Sequence, residues 1–496
     1  MSSSHLTPVR RVMPLLGAIV MVFALTMAVP MGVSLFIHDG AERAFPLAMV
    51  VTFLAGVAFR FGLGRRYFKI ELHNRDGILL VGLAWTLLPV FATIPLLVYF
   101  RQQGMPLTFT QAYFEAVSGL TTTGATVLTG LDALPGSINL WRCMLQWLGG
   151  MGILVLAVAI LPMLGAGSSL IFRAEATGPM KDNKLTPRIT ETAKGLWSVY
   201  AGLSMACALA YWWGGMTPLD AVIHMFATLS LGGLSSHDAS FAYFNSATLE
   251  WIAIVFMSLA SCNFALYFVA FSKRQPMRVW QDAEWRATIG LLIASSVAVA
   301  ALLLAKGTMH DPWETLRVSL FNVISIASTT GFSSVDYTLW PVFAPIFMIM
   351  LSGVATSAGS TGAGIKMARM VILFKQARRE MKRLVHPRAV IPVTLGGHLV
   401  EGSTISSVLG FMLIYGGTIT SLTMVLLLTD MEFDTAFSAV VACVNNMGPG
   451  LNEVGPAGNY AGLSAFQSWV CCVAMLLGRL EMISFLVLFT PGFWRK

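Results

Sequence analysis

Apolar residues follow one another in long, nearly uncharged runs separated by short polar connectors, a pattern that predicts helices crossing a bilayer rather than half-buried faces of a soluble core. Ten runs are read as spans: Val12–Phe36, Phe45–Phe59, Gly77–Phe100, Cys143–Phe172, Gly195–Leu219, Trp251–Ser272, Ala287–Ala305, Tyr337–Ile365, Gly402–Thr429 and Leu463–Trp494. Four further apolar segments, Phe109–Leu120, Ala221–Leu231, Leu316–Thr329 and Ala436–Val444, fall short of the ~20 residues that a crossing needs.

Charge sets the topology. Arg60, Arg65, Arg66 and Lys69 follow the second run, Arg173 to Lys194 the fourth, Lys273, Arg274 and Arg278 the sixth, and Lys375 to Arg388 the eighth; Arg495 and Lys496 end the chain. Every even-numbered span thus ends on the positive, cytoplasmic side, together with both termini. The opposite face carries many of the acids and only scattered cations such as Arg142 and Arg317. Trp141, Trp212, Trp213, Trp251 and Trp340, near span ends, read as interface anchors.

Composition narrows the class. Of 496 residues, 56% are hydrophobic and 11% charged, with a mean hydropathy of +0.72, against about 25% charged in soluble domains. The net charge of +8 is accounted for by the cytoplasmic connectors and does not call for nucleic acid. Six cysteines at irregular spacing give no zinc or disulfide framework, and His224 and His237 have no partner at ligand spacing. There is no HExxH, no GxSxG and no nucleotide-binding loop, which argues against a polytopic membrane enzyme and against an organic cofactor.

The four short segments are repeats of one another. They read FEAVSGLTTTGATVLTGLD from Phe114, MFATLSLGGLSSHD from Met225, NVISIASTTGFSSVD from Asn322 and AVVACVNNMGPGLNE from Ala439; their glycines, Gly124, Gly233, Gly331 and Gly448, recur at intervals of 109, 98 and 117 residues. Non-helical backbone at membrane depth is tolerated only where it is buried in protein or lines a water-filled cavity. Four such loops on one side of the bilayer therefore predict an all-α polytopic membrane protein: two N-terminal spans (residues 1–72) and four span, loop, span repeats (73–190, 191–280, 281–398 and 399–496) around one central pore. A ring of their carbonyls can replace the hydration shell of a monovalent cation.

These words, together with LQWLGGMGILVLAVAILP (Leu145–Pro162), KLTPRITETAKGLW (Lys184–Trp197), SAGSTGAGIK (Ser357–Lys366) and GRLEM (Gly478–Met482), occur in an order and spacing that resembles the Trk/Ktr/HKT superfamily of potassium transporters, most closely its TrkH-type membrane subunit. The resemblance covers nearly the whole chain. It implies potassium uptake across the bacterial inner membrane, with potassium bound in a filter made by Thr122, Thr123 and Gly124; Leu231, Gly232 and Gly233; Thr329, Thr330 and Gly331; and Asn446, Met447 and Gly448. It also implies a homodimer and a cytosolic, nucleotide-binding regulatory subunit of TrkA type. The basic connectors at Arg173–Lys194 and Lys375–Arg388 offer that subunit a docking surface, or are ordinary positive-inside charge.

The eighth run contains GVATSAGSTGAGIK, whose small residues favour a broken helix, since Gly costs ~1 kcal/mol in a helix interior relative to Ala. The resemblance makes Gly359, Ser360, Thr361, Gly362, Gly364 and Lys366 an intramembrane gate loop beneath the filter; small residues also permit close helix packing. Arg479, inside the last run beside Glu481, is expected either to point into the pore, as the resemblance implies, or to sit in a structural ion pair. Asp132, Asp238, Asp336 and Glu453 at the outer face either draw cations to the mouth or are solvated loop acids. A sodium- or proton-coupled carrier of the same fold stays open at this point.

Overall fold

The structure, a computed structural model, describes residues 8–62, 74–152, 189–396, 398–480 and 482–495. The fourth apolar run beyond residue 152, the connector at 173–188 and Glu481 lie outside them.

The N-terminal part is α1 (Pro8–Thr26) and α2 (Ala28–Ile37), which together make one crossing of 30 residues, and α3 (Ala44–Val57), prolonged by a π-helical turn at Ala58–Gly62. Next come α4 (Asn74–Gln102), α5 (Phe109–Leu120) and α6 (Gly136–Gly150). A second group follows with α7 (Ile189–Trp213), α8 (Pro218–Leu229), α9 (Ala247–Ala260) and α10 (Phe264–Ser272). After the short α11 (Met277–Gln281), a third group has α12 (Ala283–Ala305), α13 (Pro312–Ala327), α14 (Phe343–Ser352) and α15 (Met367–Val385). A two-stranded hairpin (Thr394–Leu395 with His398–Leu399) leads to the last group, α16 (Gly402–Leu427), α17 (Phe433–Val444), α18 (Ala465–Arg479) and α19 (Met482–Leu486).

Among the described residues, five helices are long and apolar enough to cross a membrane, and seven if each bent pair counts once. The two bent pairs fall within the runs read as spans at Trp251–Ser272 and Leu463–Trp494. Helices α9 and α10 meet at 88°, and α18 meets the segment from Met482 at 117°. At the first bend Asn263 breaks the helix by capping the next one, its side chain accepting from Ala265 N–H at 2.8 Å. The run Tyr337–Ile365 is α-helical only over α14, after a 3-10 turn at Tyr337–Leu339, before it unwinds.

The half-crossing elements α5, α8, α13 and α17 have 12, 12, 16 and 12 residues, about 18–24 Å at 1.5 Å per residue. Thr108, Thr217 and Asp311 cap the first three at their N-termini. All four then bury nearly every residue toward their C-terminal ends, as expected of helices surrounded by protein. Of the tryptophans expected at interfaces, Trp212, Trp213 and Trp251 are exposed, whereas Trp141 and Trp340 are buried. Trp141 packs against Phe23 and Phe45 and donates its indole N–H to Ala92 O at 3.1 Å, which ties the N-terminal helices to the first repeat.

Candidate functional site

Each half-crossing helix ends in the same backbone sequence. A helical C-cap (Thr121, Ser230, Ser328, Asn445) is followed by a residue in the left-handed region (Thr122 φ 57°, Leu231 54°, Thr329 65°, Asn446 49°), one more residue, and a glycine again at positive φ (Gly124 81°, Gly233 71°, Gly331 87°, Gly448 91°). The third residue turns its N–H back onto the helix: Thr123 to Ser118 O (2.9 Å), Gly232 to Ala227 O (2.9 Å), Thr330 to Ser325 O (2.8 Å) and Met447 to Ala442 O (2.8 Å). This is a Schellman-type ending in all four repeats. β-branched threonines are rare at positive φ, and backbone outliers of this kind cluster at functional sites.

The four loops close on one another. A Cβ placed on Gly124 would fall 1.9 Å from Gly232 O, one on Gly233 1.9 Å from Thr330 O, one on Gly331 2.2 Å from Met447 O, and one on Gly448 2.8 Å from Thr123 O. Loop 1 abuts loop 2, loop 2 abuts loop 3, loop 3 abuts loop 4, and loop 4 returns to loop 1. Only a residue without Cβ fits at each seam. The structure thus brings all twelve residues expected in the filter into one ring.

The carbonyls of this ring are mostly unspent. Gly232 O accepts from Gln146 Nε2 (2.6 Å) and Gly448 O from the Tyr460 hydroxyl (2.8 Å); the other ten accept no hydrogen bond among the described residues. Buried carbonyls without a donor are rare in proteins. The Thr329 Oγ1 and Asn446 Oδ1 atoms are likewise buried without a partner among the described residues.

Contacts behind the ring were not legible as such. Arg142, expected as a lone outer cation, is fully buried: its Nε bonds Glu115 Oε1 at 2.7 Å, while its other nitrogens reach Asn139 Oδ1, Ser235 O and Thr126 Oγ1. Glu115 also accepts from Val127 N–H and the Thr126 hydroxyl. This ion pair braces the descending strand of loop 1 and touches loop 2. The glutamate at the second position of FEAVSGL, in an otherwise apolar helix, was the available signal.

Residues 353–366 form an irregular, largely buried segment between α14 and α15, directly beneath loop 3. A Cβ on Gly362 would lie 3.2 Å from both Ser328 O and Thr329 Oγ1. Thr361 Oγ1 donates to Leu229 O (3.1 Å), Ser357 N–H to Ser261 O (2.9 Å), and Glu284 accepts from Ala358 N–H (2.7 Å). Lys366 is buried with its ammonium on Gly362 O, inside the segment itself. Gly359 and Gly364 take φ of 79° and 83°, and Ser360 turns its hydroxyl to Ser357 O.

Arg479 joins the two layers. Its guanidinium donates to Thr122 Oγ1 in loop 1 (3.3 Å), to Thr361 O in the segment below (2.8 Å), and to Gly149 O and Gly150 O (3.0 Å for the latter) at the C-terminus of α6. A cation at a helix C-terminus is favoured by the helix dipole.

At the outer face three of the four acids are occupied locally, while Glu453 is exposed. Asp132 bonds His237 Nδ1 (2.5 Å) and Asp238 N–H, Asp238 accepts from Leu131 N–H, and Asp336 from Thr338. His237 also lies 3.5 Å from Asp220 Oδ1 and stacks on Tyr243.

Half-crossing helices that end together on a ring of backbone carbonyls, inside a bundle of apolar spans, define a polytopic membrane protein for moving cations. The chain belongs to the TrkH family, described as cation transport protein, whose profile matches residues 44–496. That is a family of transport proteins, not of enzymes. The chain is similar to the Trk system potassium uptake protein TrkH of Vibrio parahaemolyticus (42% identical over 489 residues, 98% of this chain and 99% of that one) and to the protein so named in Escherichia coli (42% over 487 residues, 98% and 99%). The crystal structure of the potassium transporter TrkH from Vibrio parahaemolyticus superposes with a TM-score of 0.88 at 40% identity, covering 98% of this chain and 99% of that one.

Proposed function

We propose that this chain takes up potassium across the bacterial inner membrane, with the loop ring as its selectivity filter and residues 353–366 with Arg479 as the gate beneath it. The observation that carries the reading is the ring: ten carbonyls, seven of them on buried residues, with no protein donor among the described residues, closed at four glycine seams. A desolvated alkali ion needs oxygen dipoles in place of its water. The C-terminal ends of α5, α8, α13 and α17 add partial negative charge there. Because the loops are unlike, their field is uneven, and discrimination among potassium, rubidium and sodium should be looser than in a filter of four identical strands.

Each of the repeats 73–190, 191–280, 281–398 and 399–496 supplies one loop in this reading, and both termini lie in the cytoplasm. The basic face of α15, with Lys375, Arg378, Arg379, Lys382 and Arg383, supports docking of a TrkA-type nucleotide-binding subunit, and the assembly is a homodimer. The test is potassium or rubidium influx into proteoliposomes with sodium and pH gradients imposed and then removed. Influx that follows the potassium gradient alone supports the proposal; influx that requires a sodium or proton gradient makes the chain a coupled carrier; no potassium influx overturns it.

A further inference from the structure

The residue just before the filter glycine differs among the loops in how it is held. In loop 1 it is Thr123, whose hydroxyl pairs with Thr121 Oγ1 (2.7 Å) and accepts from Asn446 Nδ2 (2.8 Å); in loop 3 it is Thr330, paired with Ser328 Oγ (2.8 Å). In loop 4 it is the buried side chain of Met447. Loop 2 has Gly232 and therefore no side chain to fix its peptide.

Gly232 is not glycine for the sake of a left-handed backbone, since its φ lies outside that region. What excludes a side chain is Gln146 on α6. A Cβ on Gly232 would fall 2.5 Å from Gln146 Cδ, 2.6 Å from Nε2 and 2.9 Å from Oε1. That amide is fully buried and grips both sides of the peptide pair: Nε2 donates to Gly232 O at 2.6 Å, and Oε1 accepts from Leu234 N–H at 3.1 Å. It also lies at the seam between loops 1 and 2, with Nε2 3.6 Å from the Cβ position of Gly124.

We propose that Gln146 is a specificity-determining positioning residue, whose amide stands in for the side chain that loop 2 lacks and fixes the orientation of the Gly232 carbonyl in the ring. The assignment rests on the filter reading above. Without the amide, a glycine peptide with no side-chain anchor has wide conformational freedom, and its carbonyl can turn away from its place. Losing one buried hydrogen bond of this kind corresponds to about a tenfold change in an equilibrium.

The experiment uses the full chain in proteoliposomes, with potassium and sodium influx measured side by side and folded protein checked by size exclusion. Gln146→Leu removes both hydrogen bonds; Gln146→Glu keeps the acceptor for Leu234 N–H and removes the donor to Gly232 O, which also guards against a folding failure of the first variant. Both are expected to lower potassium-over-sodium discrimination about tenfold, through a changed ratio of KM values with maximal rates altered far less. Gly232→Thr alone should abolish uptake by collision with Gln146, while Gln146→Ala with Gly232→Thr should recover discrimination lost in Gln146→Ala. Wild-type discrimination in folded Gln146→Glu, or a double variant that discriminates no better than Gln146→Ala, overturns the assignment. Gly331→Ser separates the two readings: if it transports normally the filter itself is misassigned, and if it is silent while the Gln146 variants behave as wild type, only the role of Gln146 falls.

Discussion

The ring and the segment below it are both irregular backbone deep in the bundle, yet they are held to different degrees by their own helices and by distant elements. Each ring loop is secured by its own helix, through the Schellman back-bonds of Thr123, Gly232, Thr330 and Met447, and by backbone contact with the next loop. The 353–366 segment has a local frame, with Ile365 N–H on Gly353 O and the Thr356 hydroxyl on Ala363 O, and is tied to elements far away in sequence by scattered hydrogen bonds, among them Thr361 to Leu229, Ser357 to Ser261 and Thr288, Gly359 to Phe264, Ala358 to Glu284 and Arg479 to Thr361. A net hydrogen bond is worth ~1 kcal/mol. The first arrangement resists deformation as a unit, whereas the second can be released one tether at a time. A selective site needs the former and a gate the latter.

The largest predicted effect breaks the rigid layer. Gly124→Ser or Gly331→Ser forces a Cβ to within 1.9 or 2.2 Å of a neighbouring carbonyl, a strain above ~3 kcal/mol that should cut potassium influx more than about a hundredfold while the protein still inserts. Next is the brace behind it. Glu115→Gln leaves Arg142 buried without its anion, a cost of ~3–5 kcal/mol, seen as a large drop in thermal stability in detergent; a double replacement of both residues by apolar ones of similar size should restore most of it.

Arg479→Ala cuts the link between the layers and should raise flux or loosen selectivity by about tenfold, readable in influx assays. Thr361→Val removes one tether from the lower layer and is expected to raise flux a few-fold with discrimination unchanged, on the scale of one hydrogen bond. A change of selectivity instead would erase the distinction between the layers.

The smallest effect lies outside the membrane. Burial alone would lower the His237 pKa, but the carboxylates of Asp220, 3.5 Å away, and of Asp132, hydrogen-bonded to Nδ1, outweigh that and hold it above the usual 6.5. Burial would raise Asp132, yet the His237 bond brings it below its usual 3.8. The histidine's contribution to stability is therefore complete below pH ~6.5 and fades as pH rises through the elevated pKa; that of Asp132 is complete above ~3.8 and fades as pH falls through the lowered one. Thermal stability should decline modestly as external pH rises from about 6 to 8, and His237→Asn should flatten that slope.

The loops could be read from sequence because a glycine at a required seam leaves a residue-type signature, and four copies of it at similar spacing are hard to mistake. The irregular backbone at 353–366 was legible through its run of Gly, Ala, Ser and Thr. The bends after Ala260 and Arg479 were not, since an apolar run has the same composition straight or folded back; Asn263 inside such a run was the one local hint. Pairings across helices were also hidden. Arg142 and Glu115 are 27 residues apart, and Arg142 looked like an isolated surface charge until folding placed the two at 2.7 Å. Gln146 stood in a quoted motif with nothing to show that its amide faces Gly232.

The ring is assembled from one polypeptide rather than from four identical ones. In a homotetramer, a single codon change alters every quadrant at once. Here it alters one, so on the filter proposal ion preference is adjusted in small increments, quadrant by quadrant, and a partly compromised loop can persist long enough for a compensating change elsewhere in the same gene.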